Sequence, residues 1–235
     1  MKAALAAIIL LAASIPAHAQ MYWRLDTGLS KTMAADFRDK NSAGNGVICM
    51  DLSPASCSTP ATLDDVGSSA ILGAGVGYRF DANFRGDVTF GYRGGYALSG
   101  SDGNGTFKSD VTSAVVMANG YYDFRASGVT PYAGAGIGWA QNTMSQIVQT
   151  LNFFPGSTTT PGGKTSGVAY ALMAGVAIPF SGWILDIGYR YIDLGKIEGD
   201  AGNGTVTGPG FASTFPYSGA EGRLKANELT IGVRF

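Results

Sequence analysis

The sequence predicts an all-β fold, an eight-stranded antiparallel transmembrane β-barrel with short periplasmic turns and four long extracellular loops. Three observations point there. The chain opens on an export signal; no later apolar run reaches the roughly 18 residues of a membrane-spanning helix; and eight later segments alternate apolar with polar residues at the two-residue period of a strand.

The signal is Lys2, an apolar run from Ala3 to Ile15, Pro16, and the small-x-small site Ala17-His18-Ala19 before Gln20. Such a run is too short to cross a bilayer as a helix and carries cleavage chemistry, so 1–19 reads as a signal peptide and 20–235 as the barrel. Of 16 basic residues only Lys2 leaves with the signal, so 15 face 17 acidic residues with no basic tract. That balance gives no electrostatic reason to expect nucleic acid as a partner. Charged residues are 14% of the chain, against roughly 25% in ordinary soluble domains, as suits a wall standing in lipid.

The segments follow in chain order. In 21–30, Trp23, Leu25, Thr27 and Leu29 take the outer face and Arg24, Asp26 and Gly28 the inner. In 70–80, Leu72, Ala74, Val76, Tyr78 and Phe80 alternate with Gly73, Gly75, Gly77 and Arg79. In 84–94, Phe84, Val88, Phe90 and Tyr92 alternate with Arg85, Asp87 and Arg93. Segment 111–124 turns Val116, Ala118, Tyr122 and Phe124 out and Asn119, Tyr121 and Asp123 in. Segment 130–140 turns out Ala133, Ala135, Ile137 and Trp139, and 168–180 turns out Tyr170, Leu172, Val176, Ile178 and Phe180. In 183–193, Trp183, Leu185, Ile187, Tyr189 and Tyr191 oppose Asp186, Gly188 and Arg190. The last strand sets Leu229, Ile231, Val233 and Phe235 against Glu228 and Arg234. A slip of one residue in any of them would put charge into lipid.

Connections alternate as well. Those at 81–83, 125–129 and 181–182 are short, whereas 31–69, 95–110, 141–167 and 195–223 are long and polar, the asymmetry of outer-membrane barrels. Trp23, Phe80, Phe84, Phe124, Phe180, Trp183 and Phe235 gather near the short turns, and Tyr92, Trp139, Tyr170 and Tyr191 near the long loops, as two interfacial girdles would. A soluble sandwich or lipocalin-like barrel also alternates but turns its apolar face inward. The export signal, the aromatic bands and the terminal Phe235 favour the membrane arrangement.

Eight strands enclose an interior that side chains just fill. Its inward arginines are Arg24, Arg79, Arg85, Arg93, Arg190 and Arg234; its acids are Asp26, Asp87, Asp123, Asp186 and Glu228. Charge withdrawn from water needs a partner, so an axial network of ion pairs plugging the barrel is expected. The inward glycines 73, 75, 77, 134, 136 and 138 are expected to leave room for the arginines. Cys49 and Cys57 share the first loop. In an oxidising compartment a disulfide between them is favoured over two free thiols.

Chemistry-bearing motifs are scarce. The glycine runs 73–77 and 134–138 lie inside alternating strands rather than opening a helix, so they do not read as nucleotide loops. His18, the only histidine, leaves with the signal, and nucleophile activation ordinarily relies on such a base. The pairs Asp64-Asp65 and Asp186 with Glu228 read as a solvated loop and as members of the plug. No catalytic residue, cofactor or metal ligand is therefore nominated. Asn104-Gly105-Thr106 and Asn203-Gly204-Thr205 read as Asn-Gly turns.

Several stretches resemble a known group. They are residues 75–80 (GVGYRF), 120–124 (GYYDF), 131–138 (PYAGAGIG), 186–191 (DIGYRY) and the terminal Leu229 to Phe235. They are similar to the small outer-membrane surface-antigen family of alpha-proteobacteria, within the opacity-type eight-stranded barrels. The resemblance covers most strands but not the loops, and the long Cys-containing first loop has no place in the family pattern. It implies a non-enzymatic envelope protein without a cofactor that supports outer-membrane integrity. Its partners would be outer-membrane lipid and lipopolysaccharide, with loops offered for adhesion or for an extracellular ligand. The alternative is a narrow porin-like channel. The strand from Leu229 to Phe235 is expected to serve as the signal for the barrel-assembly machinery.

Overall fold

A computed structural model describes residues 20–33, 37–41, 62–101, 105–124, 128–153 and 155–235. Residues 1–19, Cys49 and Cys57 lie outside them, as do the expectations of a signal peptide and a disulfide. Among the described residues fourteen strands form one sheet. They are β1 (Gln20–Thr32), β2 (Arg38–Asp39), β3 (Thr62–Val66), β4 (Ser68–Arg79), β5 (Phe84–Ser101), β6 (Gly105–Asp123), β7 (Thr130–Met144), β8 (Ile147–Leu151), β9 (Ser157–Thr160), β10 (Gly163–Phe180), β11 (Trp183–Gly199), β12 (Gly202–Gly208), β13 (Phe211–Tyr217) and β14 (Ala220–Arg234).

Eight of these close the barrel. β1, β4, β5, β6, β7, β10, β11 and β14 pair antiparallel in that order, and β14 returns to β1 with Arg24 opposite Arg234 and Leu29 opposite Leu229. Closure leaves the wall no unpaired edge, which hydrocarbon requires because it offers backbone amides no water. Phe235 donates its N–H to the Trp23 carbonyl and accepts from the Trp23 N–H, at 3.1 and 2.8 Å. Trp23, Leu25, Leu29, Leu72, Phe90, Val116, Ile137, Leu172, Ile187, Leu229 and Ile231 stand exposed on the outer surface, so the wall is apolar outward in all eight strands' lower reaches.

The short turns are chemically built. Asp81 Oδ1 accepts the amides of Asn83 and Phe84 at 2.7 and 2.8 Å, an Asx turn. The other end differs from expectation, because much of the sequence read as long loop is strand. Segment 84–94 runs on to Ser101, 111–124 starts at Gly105, 168–180 at Gly163 and the last strand at Ala220, and 183–193 runs on to Gly199. At about 3.3 Å per residue, the 19 residues of β6 measure roughly 60 Å. Tilted by about 45° they still rise about 40 Å, well above an apolar band about 25 Å tall. The loops between these extensions add β8, β9, β12 and β13, joined edge to edge onto β6 in the order β6-β8-β9-β12-β13.

Candidate functional site: the filled lumen and its rim

The periplasmic half of the lumen holds charge. Arg24 binds Asp26 and Asp87, each at 2.8 Å, and donates to the Tyr121 hydroxyl at 2.9 Å. Asp87 also receives Asn119 Nδ2 at 2.7 Å and the Tyr22 hydroxyl at 3.2 Å. Arg85 pairs with Asp123 at 3.0 Å while its guanidinium lies 3.9 Å from the centre of the Tyr121 ring. Arg79 reaches Asp123 at 3.5 Å, and Arg234 binds Asp186 at 2.5 Å. Glu228 takes Arg93 at 2.6 Å, Arg190 at 2.5 Å and the Ser30 hydroxyl at 3.0 Å. Each of the eleven charged residues assigned inward by alternation thus stands in an ion pair.

The glycines do something else than expected. A Cβ at Gly77 would meet the Tyr22 ring, at Gly134 the Tyr121 ring, at Gly136 Asn119 Oδ1, and at Gly232 Asp26 Oδ1. Room is therefore left chiefly for tyrosine rings and short polar groups; among the described residues Gly91 abuts an arginine, Arg93 Nη1 at 3.2 Å.

Above the charges the lumen turns apolar. Tyr96, Leu98, Phe107, Val111, Val115, Met117, Met144, Ile147, Ile192, Leu194 and Ile197 form one buried cluster with Phe37, Phe215, Tyr217 and Leu224. Phe37 comes from the first loop and packs on Phe107 with the rings tilted by 33° and their centres 6.3 Å apart, while Phe215 and Tyr217 come from β13. Burial pushes the Tyr217 phenol well above its usual range. On β5 and β11 a bulge arranges this inversion, whereas β6 turns Phe107, Val111 and Val115 inward in unbroken phase with Asn119 and Tyr121. The register slips between Arg93 and Tyr96 and between Asp193 and Gly195, with Gly95 and Gly195 at φ of 76° and 81°. Each extra residue shifts the phase by one, so Tyr96 and Leu98 turn inward in place of Ala97 and Ser99, and Lys196 turns outward. Outside the bilayer the wall faces water, and the soluble-barrel polarity weighed against the membrane reading takes over there. Sequence reading missed this cluster because the bulges break the period within Gly- and Ser-rich stretches.

On the outer wall, Asp193 is fully buried by Arg223, at 2.9 Å, and by the Tyr170 hydroxyl, at 2.8 Å, and accepts the Gly195 amide at 2.9 Å. This fixes the β11 bulge. At the rim β2 pairs with the start of β14. There Arg38 binds Glu221 at 2.8 Å and holds its carboxyl below the usual carboxylate range. On the terminal strand Leu229, Ile231 and Phe235 are exposed outward and Val233 is half-buried. Among the described residues no cluster of three metal-ligating side chains occurs.

Residues 3–235 match the family described as outer membrane protein beta-barrel domain. An uncharacterized protein of Brucella abortus is 32% identical over 145 residues, 52% of this chain and 51% of that protein. Outer membrane protein PagN of Salmonella typhimurium is 30% identical over 158 residues, 59% of this chain and 63% of its own length. The chain thus spans about half the length of the first relative and under two thirds of the second. The crystal structure of the outer membrane protein OprG from Pseudomonas aeruginosa superposes with a TM-score of 0.53 at 15% identity, covering 94% of this chain and 99% of that one. At that identity the likeness is one of fold. With the closed eight-stranded wall and its apolar outer face, these matches establish that the chain belongs to the outer membrane protein beta-barrel family and resides in the outer membrane.

Proposed function

We propose that this protein is a non-enzymatic, structural barrel that supports envelope integrity and presents a sheet-built extracellular surface for adhesion or recognition. The observation that carries this is the filling of the lumen in two layers, ion pairs below and an apolar cluster above. Side chains committed to one another in this way serve the wall rather than a solute. The surface we assign to a partner is the extracellular rim built by β8, β9, β12 and β13.

A narrow channel is the second reading. It is favoured by Arg93 Nη1 and Asn119 Oδ1, which are buried in the lumen without a hydrogen-bond partner among the described residues. Planar-bilayer recording separates the two: the structural reading expects no steady single-channel steps, and steps comparable to a general porin would overturn it. The same reading expects cells lacking the protein to become detergent-sensitive. A variant with residues 203–216 replaced by a short turn should restore resistance but not surface attachment. Full attachment by that variant would remove the rim from the function.

A further inference from the structure

Four consecutive strands carry a polar residue in one row of the ladder. Arg93 on β5 faces Ser113 on β6, Ser113 faces Asn142 on β7, and Asn142 faces Thr165 on β10. Arg93 is paired with Glu228. The other three stand within the apolar cluster, with Val111 and Val115 on either side of Ser113 and Ala140 and Met144 on either side of Asn142. The Ser113 and Thr165 hydroxyls and Asn142 Oδ1 are buried without a hydrogen-bond partner among the described residues. Polar groups left so in an apolar interior cost free energy, and native interiors rarely keep them that way. Asn142 is not free to turn its amide, because Nδ2 donates to the carbonyls of Leu194 and Lys196, both at 2.8 Å.

Those two carbonyls belong to β11, which is separated from β7 by β10. Asn142 reaches them because β10 bows away between. The β10–β11 ladder ends with Tyr170 opposite Asp193, and contact resumes where Asp200 donates its N–H to the Gly162 carbonyl at 3.1 Å. Between these points β10 runs from Val168, whose carbonyl lies against Gly195, to Gly163, which lies against the Glu198 carbonyl. Over the same span β11 runs only from Gly195 to Glu198, and surplus length on one strand lifts it off its neighbour. The bow leaves room on its inner side. Ser166 and Val168 are exposed and Ala169 is fully buried, so alternation turns Thr165 and Gly167 inward. A Cβ at Gly167 would meet nothing within 4 Å. Although inward, Thr165 and Gly167 are only half-buried, so the seam beside them is open to the outside.

We propose that Ser113, Asn142 and Thr165 form a buried water site beneath β10, reached from the outer medium through the seam between β10 and β11. The site goes beyond the structural and adhesive reading above. Its chemistry selects the occupant. Asn142 Oδ1 can only accept, so an anion would face a lone pair there. A cation would stand near Arg93 and Arg190, which share the single carboxylate of Glu228. Water both donates and accepts, and a buried water typically makes about three hydrogen bonds. Residues facing each other across a ladder hold their Cβ atoms about 4.5–5.5 Å apart, a span that a bridging water closes. The entrance is lateral because the apolar cluster, with Phe37, Phe107, Phe215 and Tyr217, fills the lumen above. External water thus reaches the level of Arg93 without a passage through the barrel.

The test is water-edited solid-state NMR of the isotopically labelled chain refolded in lipid bilayers, in which magnetisation passes from water to nearby side chains. The Asn142 side-chain amide and the Ser113 and Thr165 Cβ signals should rise as early as those of exposed Lys164. They should precede the methyl signals of buried Ile192 and Leu194, and a rise no earlier than those methyls would overturn the site. Gly167→Val puts a side chain into the open space and should delay the Asn142 signal several-fold while the compact gel band is kept. An undelayed signal in that variant would equally count against the site. Thr165→Val keeps the shape but removes one of the three partners, so the urea unfolding midpoint in lipid vesicles should fall. An equal or higher midpoint is what the loss of a dry, unsatisfied hydroxyl gives, and it would overturn the proposal. Exchanging chloride for sulfate, or sodium for potassium, at fixed ionic strength should leave the midpoint of the unaltered chain unmoved; an ion-specific rise would assign the site to that ion instead. Should Gly167→Val give no compact band, the spectrum of the unaltered chain and the Thr165→Val midpoint decide.

Discussion

Glu228 shows how much one side chain holds in the lumen. Its carboxylate is fully buried and meets Arg93, Arg190 and the Ser30 hydroxyl, which itself lies 2.7 Å from the Tyr96 hydroxyl. Glu228→Gln would keep the shape but leave the buried Arg93 and the half-buried Arg190 without a counter-charge. Breaking a buried pair from one side costs about 3–5 kcal/mol. Urea unfolding in lipid vesicles should show a loss of that order, and a change under about 1 kcal/mol would remove the network from the stability of the barrel. Replacing all three charges together, E228L/R93M/R190M, should recover at least half of the loss. A buried ion pair exchanged for apolar groups of similar volume is often neutral.

Strands β5 and β11 owe their two polarities to the bulges. Gly95 at φ 76° sits where β5 leaves the lipid and must change which face is apolar. Gly95→Ala meets no atom, so its cost is the backbone conformation alone, about 1–2 kcal/mol. That loss should appear in the unfolding free energy while the assembled barrel keeps its compact gel band; an unchanged unfolding midpoint would mean the bulge is not needed. The terminal strand has a separate role to test. Phe235 exchanges both backbone hydrogen bonds with Trp23 and completes the seam between β14 and β1. Deleting Phe235 should lower the fraction of chain inserted in the outer membrane several-fold, measured by heat-modifiability of membrane fractions. Undiminished insertion would argue against an assembly signal there.

The whole molecule is a membrane barrel below and an apolar-cored barrel above, continuous through the same strands. The strip read as a loop at 195–223 is β11, β12, β13 and the start of β14, hydrogen-bonded along most of its length. Protease added to whole cells should therefore cut it at the tip near Phe211, beside Gly210 at φ 80°, and spare the paired stretches. Protection of intact cells with cleavage after permeabilisation would invert the topology. Rapid cutting throughout 195–223 would show that the extracellular sheet does not persist.

Alternation alone placed eight strands, their lipid-facing sides and the eleven charged residues of the lumen, because a strand has only two faces and lipid tolerates one kind on its side. It could not say that Glu228 meets Arg93, 135 residues away, as well as Arg190, 38 away. Partners across a lumen depend on barrel closure and register, and neither leaves a periodic trace. Nor could it show how β5 and β11 join the apolar cluster above, since one extra residue at Gly95 and at Gly195 reverses their pattern where the solvent outside changes from hydrocarbon to water.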